Sequence, residues 1–187
     1  MALTPMTLTA RLIKHEHPNA KVVFIGPCAA KKLEAMRKSV RSEVDFVLTF
    51  EEMAGIFAAK HVDLTTIEED PDGVNDASTD GRSFAVGGGV AAAVVEAIKH
   101  IDPDREVLIE AVDGLRECRK MMQEAVAGKY PGYLLEGMAC PGGCVAGAGT
   151  ITPVRESTLN VEKFKKEAAE VSSTASPYVD RLKAVSY

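Results

Sequence analysis

Glu136-Gly-Met-Ala-Cys-Pro-Gly-Gly-Cys-Val-Ala-Gly-Ala-Gly149 is the stretch on which the fold reading turns. It follows the apolar run Tyr133-Leu134-Leu135, so a strand is expected to end in a glycine-rich loop carrying Cys140 and Cys144. Glycine permits dihedrals and close backbone approach that other residues do not, which suits a loop that wraps something bulky. Thiolates bind soft metals and iron-sulfur clusters. A disulfide is the competing assignment, and few cysteines in a cytosolic-looking chain weigh against it.

A second cysteine follows a second strand far upstream. Val22-Val-Phe-Ile-Gly-Pro-Cys-Ala-Ala-Lys-Lys32 has the pattern of a buried strand, a break at Gly26-Pro27, a turn at Cys28 and a helix from Ala29 to about Val40. In a parallel sheet the carboxyl ends of the strands share one edge, where ligands commonly bind. Both cysteine loops are therefore expected there. Two thiols do not complete a tetrahedral site, and Cys28 is the third donor in view. Three thiolates fit zinc with one histidine, or a cluster whose fourth ligand lies elsewhere. His15, His17, His61 and His100 sit in charged or helical surroundings with no metal-spaced pair, so they read as solvated. Cys118, within Arg116-Glu-Cys-Arg119, reads as a spectator.

Working outward, the pattern alternates. Met6 to His15 reads as a helix, and Val44 to Leu48 as a strand followed by a helix that Thr49 caps, with Glu51 and Glu52 at its positive end. The region from His61 to Arg82, with Pro71, Asp72-Gly73 and Asp80-Gly81, reads as an excursion of loops. Val90 to His100 is a helix, Glu106 to Val112 a strand, and Asp113 is placed to cap a helix from Leu115 to Ala127 that Gly128 ends. These elements predict an α/β fold: one four-stranded, mostly parallel sheet with helices on both faces. Residues 1–155 form the lobe. Residues 156–187 form a helical tail, with a charged helix from Leu159 to Val171 and a break at Ser172 to Pro177.

A chain of 187 residues builds one ordinary core, and a formal charge of −5 argues against a polyanion binder, so no nucleic acid is expected. No apolar run reaches the roughly 18 residues that span a bilayer, and no signal peptide is visible, so no membrane association and a cytoplasmic location are expected. Gly87 to Gly89 before a helix invites a phosphate-binding reading, but it lacks a full dinucleotide fingerprint and a lysine-containing P-loop.

The pair Gly-Pro-Cys-Ala-Ala-Lys-Lys32 and Glu136-Gly-Met-Ala-Cys-Pro-Gly-Gly-Cys144 resembles two of the three cysteine motifs in the C-terminal domain of the iron-only (FeFe) hydrogenase large subunit, with the likeness running from about Thr4 to Gly149. That resemblance implies a 4Fe-4S cubane whose last cysteine bridges to a two-iron unit, together the H-cluster, in a protein that interconverts protons and electrons with dihydrogen. Carried over, Cys28 and Cys140 hold the cubane and Cys144 is the bridging thiolate. Lys31 matches a lysine that donates to an iron-bound cyanide, a cation meeting an anionic ligand. Met138 matches a methionine packed on the two-iron unit, and Pro27, Phe84, Ala85 and Val90 align with residues lining it. The implied partners are a ferredoxin-like electron carrier or fused iron-sulfur domains, hydrogenase maturation proteins, and an upstream segment.

Three departures qualify the likeness. Gly26 stands where catalytic members carry methionine, Ala148 interrupts a glycine run, and the first cysteine motif of the family is expected upstream of the first helix and is absent, so the chain reads as a fragment inactive by itself. A hydrogen- or redox-sensing module and an iron-sulfur scaffold are the alternatives within the family, and a zinc-binding structural domain the alternative outside it.

Overall fold

Thr4 followed by Pro5 is a helix start, because proline loses nothing at a first helical position and the threonine hydroxyl takes an orphan N–H. In the computed structural model, which describes residues 3–68, 76–183 and 185, α1 (Pro5–Glu16) begins there, with the Thr4 hydroxyl accepting from the Thr7 N–H. The chain continues through β1 (Val23–Ile25), α2 (Ala30–Met36), β2 (Phe46–Leu48), α3 (Phe50–Ala59), α4 (Thr79–Ser83) and α5 (Gly89–Ile101). Next come β3 (Ile109–Asp113), α6 (Leu115–Val126), β4 (Leu134–Met138), α7 (Val154–Phe164) and α8 (Val179–Leu182).

These elements gather into two compact units. One comprises Met1–Val74, Ala148–Ile151 and Pro177–Tyr187, and the other Asn75–Gly147 and Thr152–Ser176. Each holds one pair of parallel strands. In the first, Val23 faces Phe46 and Ile25 faces Leu48; in the second, Ile109 faces Leu134 and Asp113 faces Met138. The α/β class and the parallel pairing match expectation. The single four-stranded sheet is corrected: among the described residues there are two sheets, each two strands wide. The physical reason is that each strand pairs with the next one along the chain, across a single helical connection, and neither pair adds a third strand. The apolar run Val22 to Ile25 is accordingly less buried than its composition implies, with Val23 and Ile25 each 45% exposed.

In the first unit Asp45 ties three elements together. Its carboxylate accepts from Lys14 Nζ on α1 at 2.8 Å, from the Val22 N–H before β1 at 2.8 Å and from Lys21 Nζ at 3.2 Å. The Lys14 and Val22 bonds hold this carboxyl far below the usual range. Thr49 caps α3 as expected, in a full capping box with Glu52. Arg181 on α8 grips the Glu16 carboxylate at the end of α1 with two nitrogens.

In the second unit the buried residues Ala91 and Ala93 of α5, Met121 of α6 and Val145 form the apolar centre. Buried Arg82 on α4 donates to the carbonyls of Ala77 at 2.9 Å and Phe164 at 2.6 Å, with its guanidinium 3.9 Å above the Phe164 ring. The excursion predicted from His61 to Arg82 is thus partly structured: Leu64–Thr66 is a 3-10 turn capped by Asp63, and α4 is capped by Ser78. Pro71, Asp72-Gly73 and Asn75 lie outside the described residues. The helix after Cys28 stops at Met36 rather than near Val40. The helix expected from Leu159 to Val171 starts earlier, after Pro153, and gives way to a 3-10 turn at Lys165–Glu167. Proline sets the backbone angle for a helix start, which the charge pattern alone did not reveal.

Asp80 carries a consequence for pH. Its Oδ2 is buried without a hydrogen-bond partner among the described residues, and burial, together with the charge of Glu96, raises its carboxyl above the ordinary 3.8. A carboxyl raised in the fold penalises folding once ionised, so its contribution is neutral below about 3.8 and unfavourable above the raised value. Asp80→Asn is therefore expected to raise Tm at pH 7, by about 2–4 °C for each kcal/mol relieved. Thermal denaturation at pH 7 and at pH 3.5 checks this, since the advantage disappears in acid.

Candidate functional site

Every sequence-predicted site residue lies at or just after the carboxyl end of a strand, or in the Phe84–Val90 segment that enters α5. Their distribution is Pro27, Cys28 and Lys31 in the first unit, and Phe84, Ala85, Val90, Met138, Cys140 and Cys144 in the second.

In the first unit the chain leaves β1 at Gly26, turns at Cys28 and starts α2, with the Lys31 N–H donating to the Cys28 carbonyl at 3.3 Å. Cys28 is partly buried. Lys31 Nζ pairs with Glu34 one turn on at 2.6 Å. Glu34 also accepts from the hydroxyls of Thr4 and Thr7, joining α2 to the start of α1. Burial by itself raises the Glu34 carboxyl, but the hydrogen bonds from Lys31 and Thr4 and the charge of Lys31 outweigh it and hold the group below its ordinary value. Gly26 is buried, and a Cβ there would stand 2.8 Å from Cε1 of the Phe24 ring. The aromatic ring fills the room a side chain at position 26 would take.

The same unit contains the segment that follows the Cys140–Cys144 loop. The Gly149 N–H donates to the Pro27 carbonyl at 3.0 Å, and the Glu51 N–H donates to the Gly149 carbonyl at 3.2 Å. A Cβ on Gly149 would lie 2.6 Å from Cγ2 of Thr49, so only glycine fits this approach.

In the second unit the Cys140–Cys144 loop is held by backbone. The Gly87 N–H donates to the Gly142 carbonyl at 3.2 Å, and the Val145 N–H to the Ala85 carbonyl at 3.0 Å. Asp113, at the end of β3, does not cap α6: Gly114 occupies the N-cap without a side-chain bond. Its Oδ2 instead accepts from the Gly142 N–H at 2.8 Å. Gly143 has φ 94° and ψ −162°, a region open essentially to glycine alone. A Cβ at Gly143 would lie 2.6 Å from the Gly87 nitrogen and 2.9 Å from the Ala85 oxygen. The backbone of Ala85 and the segment that carries Cys140 and Cys144 are thus brought together. Met138 ends β4, and its carbonyl accepts from the Gly114 N–H at 2.8 Å and from Cys118 Sγ at 3.4 Å. Cys118 is accordingly engaged with β4 rather than with the loop.

Sequence reasoning missed Glu136. It is 8% exposed, and its two carboxylate oxygens accept from the N–H groups of Gly88 and Ala91 at the start of α5. The signal was present: an acid inside an apolar strand has to find donors.

All four cysteines are thiols, each partly accessible. Among the described residues no three His, Cys, Asp or Glu side chains converge tightly enough to hold a single ion. A cubane sets its cysteine sulfurs further apart than one ion does, because irons and sulfides stand between them. Soft thiol donors on glycine-rich turns, with backbone in close approach, fit such a group in chemistry. The four histidines are exposed. No helix among the described residues is long and apolar enough to cross a membrane.

Residues 1–148 match the family model described as iron only hydrogenase large subunit, C-terminal domain. The chain is 30% identical to the periplasmic Fe hydrogenase large subunit of Nitratidesulfovibrio vulgaris, over 76% of this chain and 42% of that protein. It is 26% identical to the cytosolic Fe-S cluster assembly factor narfl of Danio rerio, over 84% of this chain and 47% of that protein. Among solved structures, the FeFe-hydrogenase HydA(deltaEFG), described in a study of stepwise H-cluster assembly, superimposes with a TM-score of 0.64 at 20% identity, covering 95% of this chain and 63% of that one. The chain therefore spans less than half the length of these curated relatives.

The loop geometry predicts a contrast between two glycines at positive φ. Gly128→Ala meets nothing within 4 Å and is expected to cost about 1–2 kcal/mol from backbone strain alone. Gly143→Ala adds a collision with the backbone of residues 85–87 and is expected to cost about 1–3 kcal/mol more. Thermal denaturation of the two variants checks the difference.

Proposed function

The chain belongs to the family formed by the C-terminal domain of iron-only hydrogenase large subunits, and from that premise we propose that it is an iron-sulfur-binding lobe of a protein that interconverts protons and electrons with dihydrogen. Cys28 and Cys140 hold a 4Fe-4S cubane, and Cys144 is the thiolate shared with a two-iron unit. The observation that carries the reading is the Cys140–Cys144 loop, held by backbone bonds to Ala85 and Gly87 on glycine-rich turns. A further support is that the chain beyond Cys144 is bonded, through Gly149, to the carbonyl of Pro27, the residue before Cys28.

When bound, the cubane supplies an electron relay and the two-iron unit supplies the metal chemistry of dihydrogen. The chain's own residues bind, orient and exclude water. Pro27, Phe84, Ala85, Val90 and Met138 form the apolar lining. Lys31 donates to an anionic ligand of the two-iron unit; its ammonium has three protons, and the Glu34 pairing uses one. Electrons arrive from a ferredoxin-like carrier or fused iron-sulfur domains, maturation proteins deliver the two-iron unit, and the thiol state of the cysteines suits the reducing cytoplasm.

A second reading, an iron-sulfur scaffold or a sensing module without hydrogen turnover, is favoured by one feature. Gly26 stands where catalytic members carry methionine, and the Phe24 ring occupies that room. The likeness to the zebrafish assembly factor is in keeping with it.

Anaerobic reconstitution with iron and sulfide tests the proposal. Cys28→Ser, Cys140→Ser and Cys144→Ser are each expected to lower iron content and visible charge-transfer absorbance, and Cys118→Ser to leave both unchanged. Iron uptake indifferent to all three overturns the cluster reading, and X-ray fluorescence of the purified protein distinguishes iron from zinc. In the whole protein of which this chain is one lobe, hydrogen evolution after insertion of a synthetic two-iron complex favours the hydrogenase; full iron occupancy there without it favours the second reading.

A further inference from the structure

The helix α5 starts without a side-chain cap. Its N-cap is Gly88, at φ 83°, and glycine offers no oxygen for the orphan N–H groups of the first turn. Those groups are met from another element, 45 to 48 residues away in sequence. The Gly88 N–H donates to Oε1 of Glu136 at 2.7 Å, and the Ala91 N–H donates to Oε2. A buried carboxylate is costly unless it is fully bonded, and the positive end of a helix is a favourable place to bond it.

Glu136 sits on β4 two residues before Met138 and four before Cys140. The segment whose N–H groups it accepts is the one bonded to the cysteine loop, through Ala85, Gly87 and Gly142. Asp113 closes the arrangement by taking the Gly142 N–H. Resting on the cluster-binding reading, we infer that Glu136 is a positioning residue: by locking β4 to the first turn of α5 it sets the Cys140–Cys144 loop in its cluster-receiving form before any metal arrives.

The carboxylate is required, because both of its oxygens act as acceptors toward N–H donors. Glutamine keeps the shape but turns an amide N–H₂ toward one of those donors, losing one bond and opposing two donors. The loss acts on the loop through the backbone, not through any contact of Glu136 with the ligand.

The test compares reduced wild-type protein with Glu136→Gln and with Phe164→Ala, a variant expected to lower Tm elsewhere in the same unit by removing the ring beneath Arg82. Two readouts are taken: amide hydrogen exchange by mass spectrometry, and titration with Cd²⁺ followed by thiolate charge-transfer absorbance. Glu136→Gln is expected to speed exchange in peptides covering residues 84–92 and 138–147 on the order of tenfold, to weaken Cd²⁺ binding, and to leave the β1–β2 peptides unchanged. Phe164→Ala is expected to lower Tm while leaving the loop peptides and the Cd²⁺ titration at wild-type values. Equal losses in both variants, or unchanged exchange in Glu136→Gln, overturn the proposal. If Glu136→Gln does not fold, the wild-type protein alone decides: Gly88 and Ala91 amides exchanging as fast as an open loop overturn it, and protection comparable to mid-helix amides sustains it. Failure of the underlying reading looks different, since wild-type protein would then take up no iron-sulfur cluster while the exchange contrast persisted.

Discussion

Backbone meeting backbone without an intervening side chain is the constraint on which the second unit depends. Where the Cys140–Cys144 loop crosses the turn at residues 85–88, the Gly143 backbone adopts dihedrals that a Cβ forbids, and the position a Cβ would take is filled by the Gly87 nitrogen and Ala85 oxygen. Two bonds exchanged between these segments, a third from Asp113 and the bidentate acceptance by Glu136 then have defined lengths. Any widening of the approach breaks them together.

The two units solve the same problem in the same way. Each pairs two parallel strands across one helical connection, and each uses a carboxylate to bind backbone N–H groups at a strand boundary: Asp45 at the start of β1, and Asp113 at the end of β3. Thiols appear after the strands, where side chains and backbone dipoles are free to face a ligand rather than complete a ladder. Short strands suffice because polar anchoring, not sheet width, holds the turns.

Membership of the hydrogenase domain family constrains chemistry more than it constrains role. The relatives include an Fe hydrogenase and an Fe-S assembly factor at similar identity. Two local features of this chain bear on the proposed role: the Lys31 ammonium is held by Glu34, and the Phe24 ring takes the room a side chain at position 26 would need.

The order of strands and of most helices, the parallel character of the pairs, the Thr49 cap and the two cysteine turns were legible in the residues, because apolar periodicity, capping chemistry and glycine placement act over a few positions; α4, inside a stretch read as loops, was not. The family was also legible in the sequence, through the two cysteine motifs around Cys28 and Cys140–Cys144. It did not determine which strands share a sheet, since alternation marks a strand's faces but not its neighbours. Nor did it reveal the partners of Asp113, Glu34 and Glu136, each of which bonds atoms at least 27 residues away. Those assignments belong to tertiary structure alone, because a carboxylate takes whichever donors the fold leaves orphaned nearby, and that is settled only when distant segments have met.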